Sequence, residues 1–227
     1  MTDKPDPLTY AEAGVSLEAA GAVVERIRAA VASTRTMQVL GVHGGFAGVY
    51  TPSVGDPLIA AGDAIVGLPS SGPHANGYSL VRRLLERAGL GPDDTPTALG
   101  GQSVADALLE PTRIYARAVA ELTRTVDVRA MAHITGGGIP GNLVRQFPDG
   151  VGAEIDLGAW TRPPVFDWLA SLGVEEDEMR RVFNLGIGFA AVVETGSTQA
   201  ALKALERGGC PSLVAGSVVE GAGVRFR

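Results

Sequence analysis

The pattern of apolar and polar positions changes character near residue 63. Upstream, Leu17, Ala20, Val23, Val24, Ile27 and Val31 recur at helical spacing and mark one face of a helix. Downstream, short apolar runs alternate with amphipathic stretches. Residues 63–68 read as a buried strand, and Leu80, Val81, Leu84, Leu85 and Ala88 then keep helical spacing until Gly89 stops the run. The same reading predicts strands over 129–134, 151–157, 186–194, 212–219 and 223–227. It predicts helices over 112–125, 139–146, 163–172, 175–182 and 197–207. Ser103 with Asp106 fits a capping box that opens one more short helix. Interleaved strands and helices of these lengths predict an α+β domain, a layered α/β arrangement with a mixed sheet flanked by helices. Residues 49–62, rich in Gly, Pro and small side chains, read as a linker between a leading segment, 1–48, and the α/β domain, 63–227.

Two strand-to-helix connections share a design. The first carries Ser70, Ser71, Gly72, His74, Asn76 and Gly77 ahead of the helix at 78–88. The second places His133 at the end of a strand, followed by Thr135, Gly136, Gly137 and Gly138, with Pro140 suited to a first helical turn and Asn142 just beyond. Glycines let successive backbone N–H groups converge, and a helix N-terminus adds partial positive charge, so such a loop holds a phosphate without a lysine. A lone loop of this kind is more often a capped turn. Two together predict a phosphorylated ligand.

Other polar residues carry two readings each. His74 and His133 are candidates for donating to a phosphate or for acid–base work, the plainer alternative being loop histidines that cap a carbonyl. Arg113 could meet a phosphate or carboxylate, or serve as a structural ion-pair partner. Asn184, beside Phe183 and ahead of Gly186 and Gly188, either joins the site or shapes a turn. The acidic run Glu175, Glu176, Asp177 and Glu178 suits a helix start and calls for no chemistry. Asp56 and Asp63 make a poor magnesium site, and no metal site is expected from the residues present.

Composition narrows the classes. With 227 residues, 45% hydrophobic and 19% charged, the chain can bury one good core and a small appendage. A formal charge of -6 with scattered basic residues argues against nucleic-acid binding. No apolar run approaches the ~20 residues of a membrane helix, and the first residues lack a signal-peptide core, so a cytoplasmic protein is expected. The single Cys210 reads as a packing residue.

Four runs, in order, resemble a known family: Leu68-Pro69-Ser70-Ser71-Gly72-Pro73-His74-Ala75-Asn76-Gly77-Tyr78-Ser79-Leu80-Val81-Arg82, Pro111-Thr112-Arg113-Ile114-Tyr115, Ala132-His133-Ile134-Thr135-Gly136-Gly137-Gly138 and Arg181-Val182-Phe183-Asn184-Leu185-Gly186-Ile187-Gly188. The family is phosphoribosylformylglycinamidine cyclo-ligase, also called aminoimidazole ribonucleotide synthetase. Tyr10-Ala11-Glu12-Ala13-Gly14-Val15 and Gly44-Gly45-Phe46-Ala47-Gly48 resemble its amino terminus. The family's Gly-Thr-Asp-Gly-Val-Gly-Thr-Lys and Gly-Gly-Glu-Thr-Ala-Glu motifs do not occur, so residues 1–48 look like the remnant of a first domain whose metal- and ATP-binding core is missing.

The resemblance implies closure of formylglycinamidine ribonucleotide to aminoimidazole ribonucleotide with ATP and magnesium. The retained loops imply substrate or phosphate binding by Ser70, Ser71, Gly72, His74, Asn76, Gly77, Arg113, Thr135, Gly136, Gly137, Gly138 and Asn184. Loss of the first-domain motifs implies little or no turnover by the chain alone, doubtful binding of ATP and magnesium, and a monomer or weak association in place of the family's homodimer. A non-catalytic module for a phosphoribosyl ligand, or a gene remnant, is the alternative.

Overall fold

The computed structural model describes residues 59–227, together with Thr9 and two short paired strands, Val39–Leu40 (β1) and Val49–Tyr50 (β2). The helix expected around Leu17 to Val31 and most of the linker lie outside the described residues.

A six-stranded sheet organises the rest. Its strands are β3 (Ala64–Pro69), β4 (Val128–His133), β5 (Val151–Ile155), β6 (Ile187–Val193), β7 (Leu213–Glu220) and β8 (Val224–Phe226), in the order β4-β6-β3-β7-β5-β8. All neighbours run antiparallel except β5 and β8, which are parallel, so the sheet is mixed, as the alternation of elements predicts. Strand β3 is central and buried on both faces. Its Ala64, Val66 and Leu68 face one core while Ile65 faces the other, which is why it reads as a continuous apolar run with no polar alternation.

Helices α3 (Ala116–Thr125) and α7 (Thr198–Arg207) cover the first face, packing Ala118, Leu122, Ala201 and Leu205 on β3 and β6. Cys210 is buried in the same layer, the packing role expected of it. On the second face, α4 (Gly138–Leu143) brings Ile139 and Leu143 against Ile65, Ala132 and Ala190. A third core gathers α1 (Tyr78–Ala88), α2 (Val104–Leu109), α5 (Pro164–Ser171) and α6 (Glu176–Val182) around Leu84, Phe166, Met179 and Phe183. In α1 the buried Leu80, Val81 and Leu84 each stabilise by about 1.5–3 kcal/mol. Leu80→Ala or Leu84→Ala, each at a fully buried leucine, would cost about 2–5 kcal/mol.

The largest boundary differences from expectation are at two helices. The helix predicted from 112 begins at Ala116, because Tyr115 turns inward and its hydroxyl donates to the Pro69 carbonyl at 3.0 Å. Arg113 therefore lies ahead of the helix, outside its first turn. The helix predicted over 139–146 ends at Leu143 and tightens into a 3₁₀ turn, Val144–Gln146. The capping box is present: Asp106 N–H donates to Ser103 Oγ at 3.0 Å, and Ser103 N–H to Asp106 Oδ2 at 3.4 Å.

The far end of the sheet is held by Asp63. Its buried carboxylate accepts from Arg129 Nη1 at 2.6 and 2.7 Å and from the Ala60 N–H at 3.0 Å, fastening the entry of β3 to β4 across β6.

Candidate ligand site at the meeting of two glycine loops

Strand β3 ends where β6 carries an extra residue. Leu68 pairs with Phe189 and Pro69 with Ile187, leaving Gly188 as a bulge. A Cβ on Gly188 would collide with Tyr115 Oη and stand 2.5 Å from His74 Cε1. Glycine here is what lets two side chains from different elements close over the strand.

The first loop, residues 70–77, then folds back on itself. Ser70 N–H donates to the Gly186 carbonyl at 2.8 Å, and Ser70 Oγ donates to Asn184 Oδ1 at 2.9 Å. Asn184 Nδ2 donates to the Gly72 carbonyl at 2.9 Å, and its Oδ1 also accepts from Gly186 N–H at 2.9 Å. Asn184 is 2% exposed and spends both ends of its amide on tying the first loop to the turn before β6. Ser71 Oγ donates to the Pro111 carbonyl at 2.6 Å, bringing the segment before α3 alongside. His74 is buried with a left-handed backbone, φ 58°, and its Nε2 accepts from Ser71 N–H at 3.2 Å.

The second loop, residues 134–138, leaves β4 and enters α4. Its glycines do three different things. Gly137 has φ 105°, a left-handed conformation that disfavours any side chain. Gly138 lies so close to the end of α6 that a Cβ would run into the Arg180 carbonyl oxygen. Gly136 has open space where a Cβ would be, and neither packing nor a positive φ demands glycine there. Asn142 closes the loop, accepting from Thr135 Oγ1 at 3.1 Å and donating to the Gly138 carbonyl at 2.7 Å.

One bond joins the two loops: Gly136 N–H donates to Asn76 Oδ1 at 3.1 Å. Beside it the rings of His74, Tyr115 and His133 form a triangle, with centroid separations of 6.2 Å (His74–Tyr115), 6.2 Å (Tyr115–His133) and 6.3 Å (His74–His133). Phe189 backs it, 5.4 Å from Tyr115 and 6.3 Å from His133. Burial is the largest cause holding His74 down at about 4, assisted by His133 and Arg113, whose proximity disfavours a second cationic group. Burial also lowers His133 and raises the Tyr115 hydroxyl. Arg113 is half-buried, its Nη1 3.9 Å from Cys210 Sγ. Helix α1 opens here at Gly77, φ 80°, with no side-chain cap and no acid in its first turn, so its leading N–H groups keep their partial positive charge.

Residues 60–227 match the family described as AIR synthase related protein, C-terminal domain. This chain belongs to that family. The phosphoribosylformylglycinamidine cyclo-ligase of Sorangium cellulosum is 53% identical over 172 residues, covering 74% of this chain and 49% of that protein. The chloroplastic enzyme of Arabidopsis thaliana matches at 45% over 170 residues, 74% of this chain and 43% of that one. The chain thus spans about half the length of the curated relatives it matches. Among solved structures, E. coli HypE, a hydrogenase maturation protein, superposes with TM-score 0.51 at 25% identity, over 78% of this chain and 50% of that one. A thiamine-monophosphate kinase from Stenotrophomonas maltophilia gives 0.52 at 17% identity, over 79% and 54%, and shows the fold alone.

All twelve residues expected from the loops fall within this one region of the AIR synthase C-terminal domain. Sequence reasoning passed over Phe189 as a member of it and named Asn142 in the second loop without giving it a role. The signal for the first was available, since a glycine inside a strand marks a bulge or a close approach, and Gly188 positions Phe189. Among the described residues no group of three or more His, Cys, Asp or Glu side chains could hold a metal ion. No helix among them is long and apolar enough to cross a membrane.

Proposed function

We propose that this chain binds formylglycinamidine ribonucleotide by its ribose phosphate where the two glycine loops meet, and that it is a cyclo-ligase homologue which closes little or no imidazole ring by itself. The observation that carries the reading is the Gly136–Asn76 bond. It brings the open Gly136 and the uncapped start of α1 to one place, beside two histidines kept neutral by burial. Neutral donors and oriented N–H groups suit a phosphate that the domain must hold without a lysine.

Ser70, Ser71, Gly72 and Asn184 shape the first loop in this reading. Thr135, Gly136 and Gly138 spend their donors on Asn142, Asn76 and Thr135 within the second loop and its junction, and Asn76 Nδ2 with the Gly77 and Gly137 N–H groups face the ligand. His74, His133 and Arg113 line the approach. ATP use follows from the family, and a HypE structure of the same fold is described in complex with ATP. In the family this chain resembles, the nucleotide and magnesium go with motifs that are absent from this sequence, so both should bind here weakly. A monomeric or weakly associating cytoplasmic protein completes the reading. The second reading, a non-catalytic phosphoribosyl-binding module, is favoured by the coverage of about half the relatives' length.

Calorimetric titration with formylglycinamidine ribonucleotide, with and without Mg·ATP, tests both. Saturable binding without turnover supports a binding module. Ring closure at an ordinary rate overturns the impaired-enzyme reading, and the absence of binding by a folded sample overturns the site.

A further inference from the structure

Two buried side-chain polar atoms among the described residues have no hydrogen-bond partner, and both are imidazole nitrogens: His74 Nδ1 and His133 Nε2. An orphaned buried donor or acceptor costs about 1–3 kcal/mol, so two of them on neighbouring rings call for an account. They do not satisfy one another. Each ring nitrogen lies about 1.2 Å from its ring centre, so at the observed 6.3 Å centroid separation the two approach no closer than about 4 Å, beyond hydrogen-bond range.

The other nitrogen of His74 decides what the orphan is. Ser71 contributes a backbone N–H, which can only donate, and it points at His74 Nε2 at 3.2 Å. Nε2 must therefore offer a lone pair, and in a neutral imidazole the proton then sits on Nδ1. We propose that Ser71 locks His74 in the Nδ1–H tautomer, so that the ring is a neutral hydrogen-bond donor and not an acid–base group, its N–H reserved for an oxygen acceptor of the bound ligand.

Three further features fit this assignment. His74 is 4% exposed and has a left-handed backbone in which a non-glycine residue is strained, and such strain persists where surrounding contacts over-determine a geometry. Gly188 and Tyr115 wall the ring at Cε1, between the two nitrogens. The groups that act on His74 are His133 and Arg113, both of which disfavour a cationic ring, while Tyr115 stays neutral. A phosphate oxygen accepts from such a donor without first surrendering or taking a proton. The tautomer stands on the Ser71 geometry alone; its use toward a ligand rests on the phosphate reading above.

Long-range ¹H–¹⁵N spectra of the histidine-labelled full chain test the tautomer directly, with His74 identified by its loss in His74→Asn. The expected spectrum has a protonated Nδ1 and a pyridine-like Nε2, unchanged between pH 8 and pH 6. An Nε2–H ring, or an imidazolium at pH 7, would overturn the proposal. The donor role is tested with formylglycinamidine ribonucleotide as the probe. Asparagine places an amide N–H near the Nδ1 position and tolerates a left-handed backbone, whereas glutamine reaches the Nε2 position. His74→Asn should bind within about threefold of the parent and His74→Gln about tenfold more weakly, a difference of about 1.4 kcal/mol. Equal losses, or the reverse order, would overturn the donor role. If the parent chain fails to bind, the phosphate reading falls with the donor role, and the spectra still decide the tautomer.

Discussion

Gly136 donates its backbone N–H to Asn76 Oδ1 at 3.1 Å, and this bond is where two loops separated by sixty residues become one surface. Gly136 also has nothing within 4 Å of a Cβ position, unlike Gly137 and Gly138 beside it. A left-handed backbone explains Gly137 and packing explains Gly138, which leaves Gly136 to be explained by what approaches it from outside.

Gly136→Ala should therefore leave stability unchanged or raise it by about 0.4–1 kcal/mol, through the narrower unfolded ensemble. If the phosphate lies against this loop, the same methyl should weaken formylglycinamidine ribonucleotide binding about tenfold, since backbone approach is blocked. Urea unfolding and calorimetry on the one variant separate the two effects. Unchanged affinity would move the phosphate away from the second loop.

Asn184 should behave oppositely. Its amide satisfies Ser70, Gly72 and Gly186 in a buried turn, so Asn184→Ala leaves several polar groups without partners. A loss of about 2–4 kcal/mol is expected, read from the shift in the urea midpoint. Asn184→Asp should not rescue it. A carboxylate oxygen would face the Gly72 carbonyl oxygen in place of the N–H that now donates to it.

The buried histidines predict an acid limb of stability. His74 falls from 6.5 to about 4 on folding and His133 moves in the same direction, both chiefly by burial. Between about pH 6.5 and pH 4 the unfolded chain binds more protons at these residues than the native one, so protonation favours unfolding. Stability should fall as pH drops through that window. The midpoint of urea unfolding, followed from pH 7 to pH 4, should decline less steeply in His74→Asn than in the parent. Parallel slopes would show that His74 is already open to solvent in the native state.

Much of the fold was open to sequence reasoning because its elements carry strong local signals. The continuous apolar run of β3, the helical spacing ended by Gly89 in α1 and the Ser103–Asp106 box each reappear close to where the pattern places them. Boundaries failed where a tertiary contact overrode local preference, as when Tyr115 turned to the Pro69 carbonyl and delayed α3. The site was readable as two loops and a pair of histidines. What could not be read was which residues serve the loops and which face outward: Asn184 and Asn76 look alike in sequence, yet one is consumed inside a turn and the other bridges to the partner loop. That distinction comes from long-range hydrogen bonds, and no local period encodes them.

Gly188 offers the sharpest test of how the ring cluster is built. Its place in the bulge lets Tyr115 Oη and His74 Cε1 occupy the volume a side chain would take. Gly188→Ala must push one of those rings aside, and Tyr115 is held by its bond to Pro69 while His74 is held by the weaker, longer bond from Ser71. The imidazole should move. Overpacking of this kind costs about 1–3 kcal/mol, which thermal or urea unfolding would register. The ¹⁵N signature of His74 should shift with it as Ser71 loses its acceptor, and ligand affinity should fall in parallel. If stability drops while the His74 signals and affinity stay as they were, Tyr115 has yielded instead, and the geometry of the first loop does not depend on the bulge.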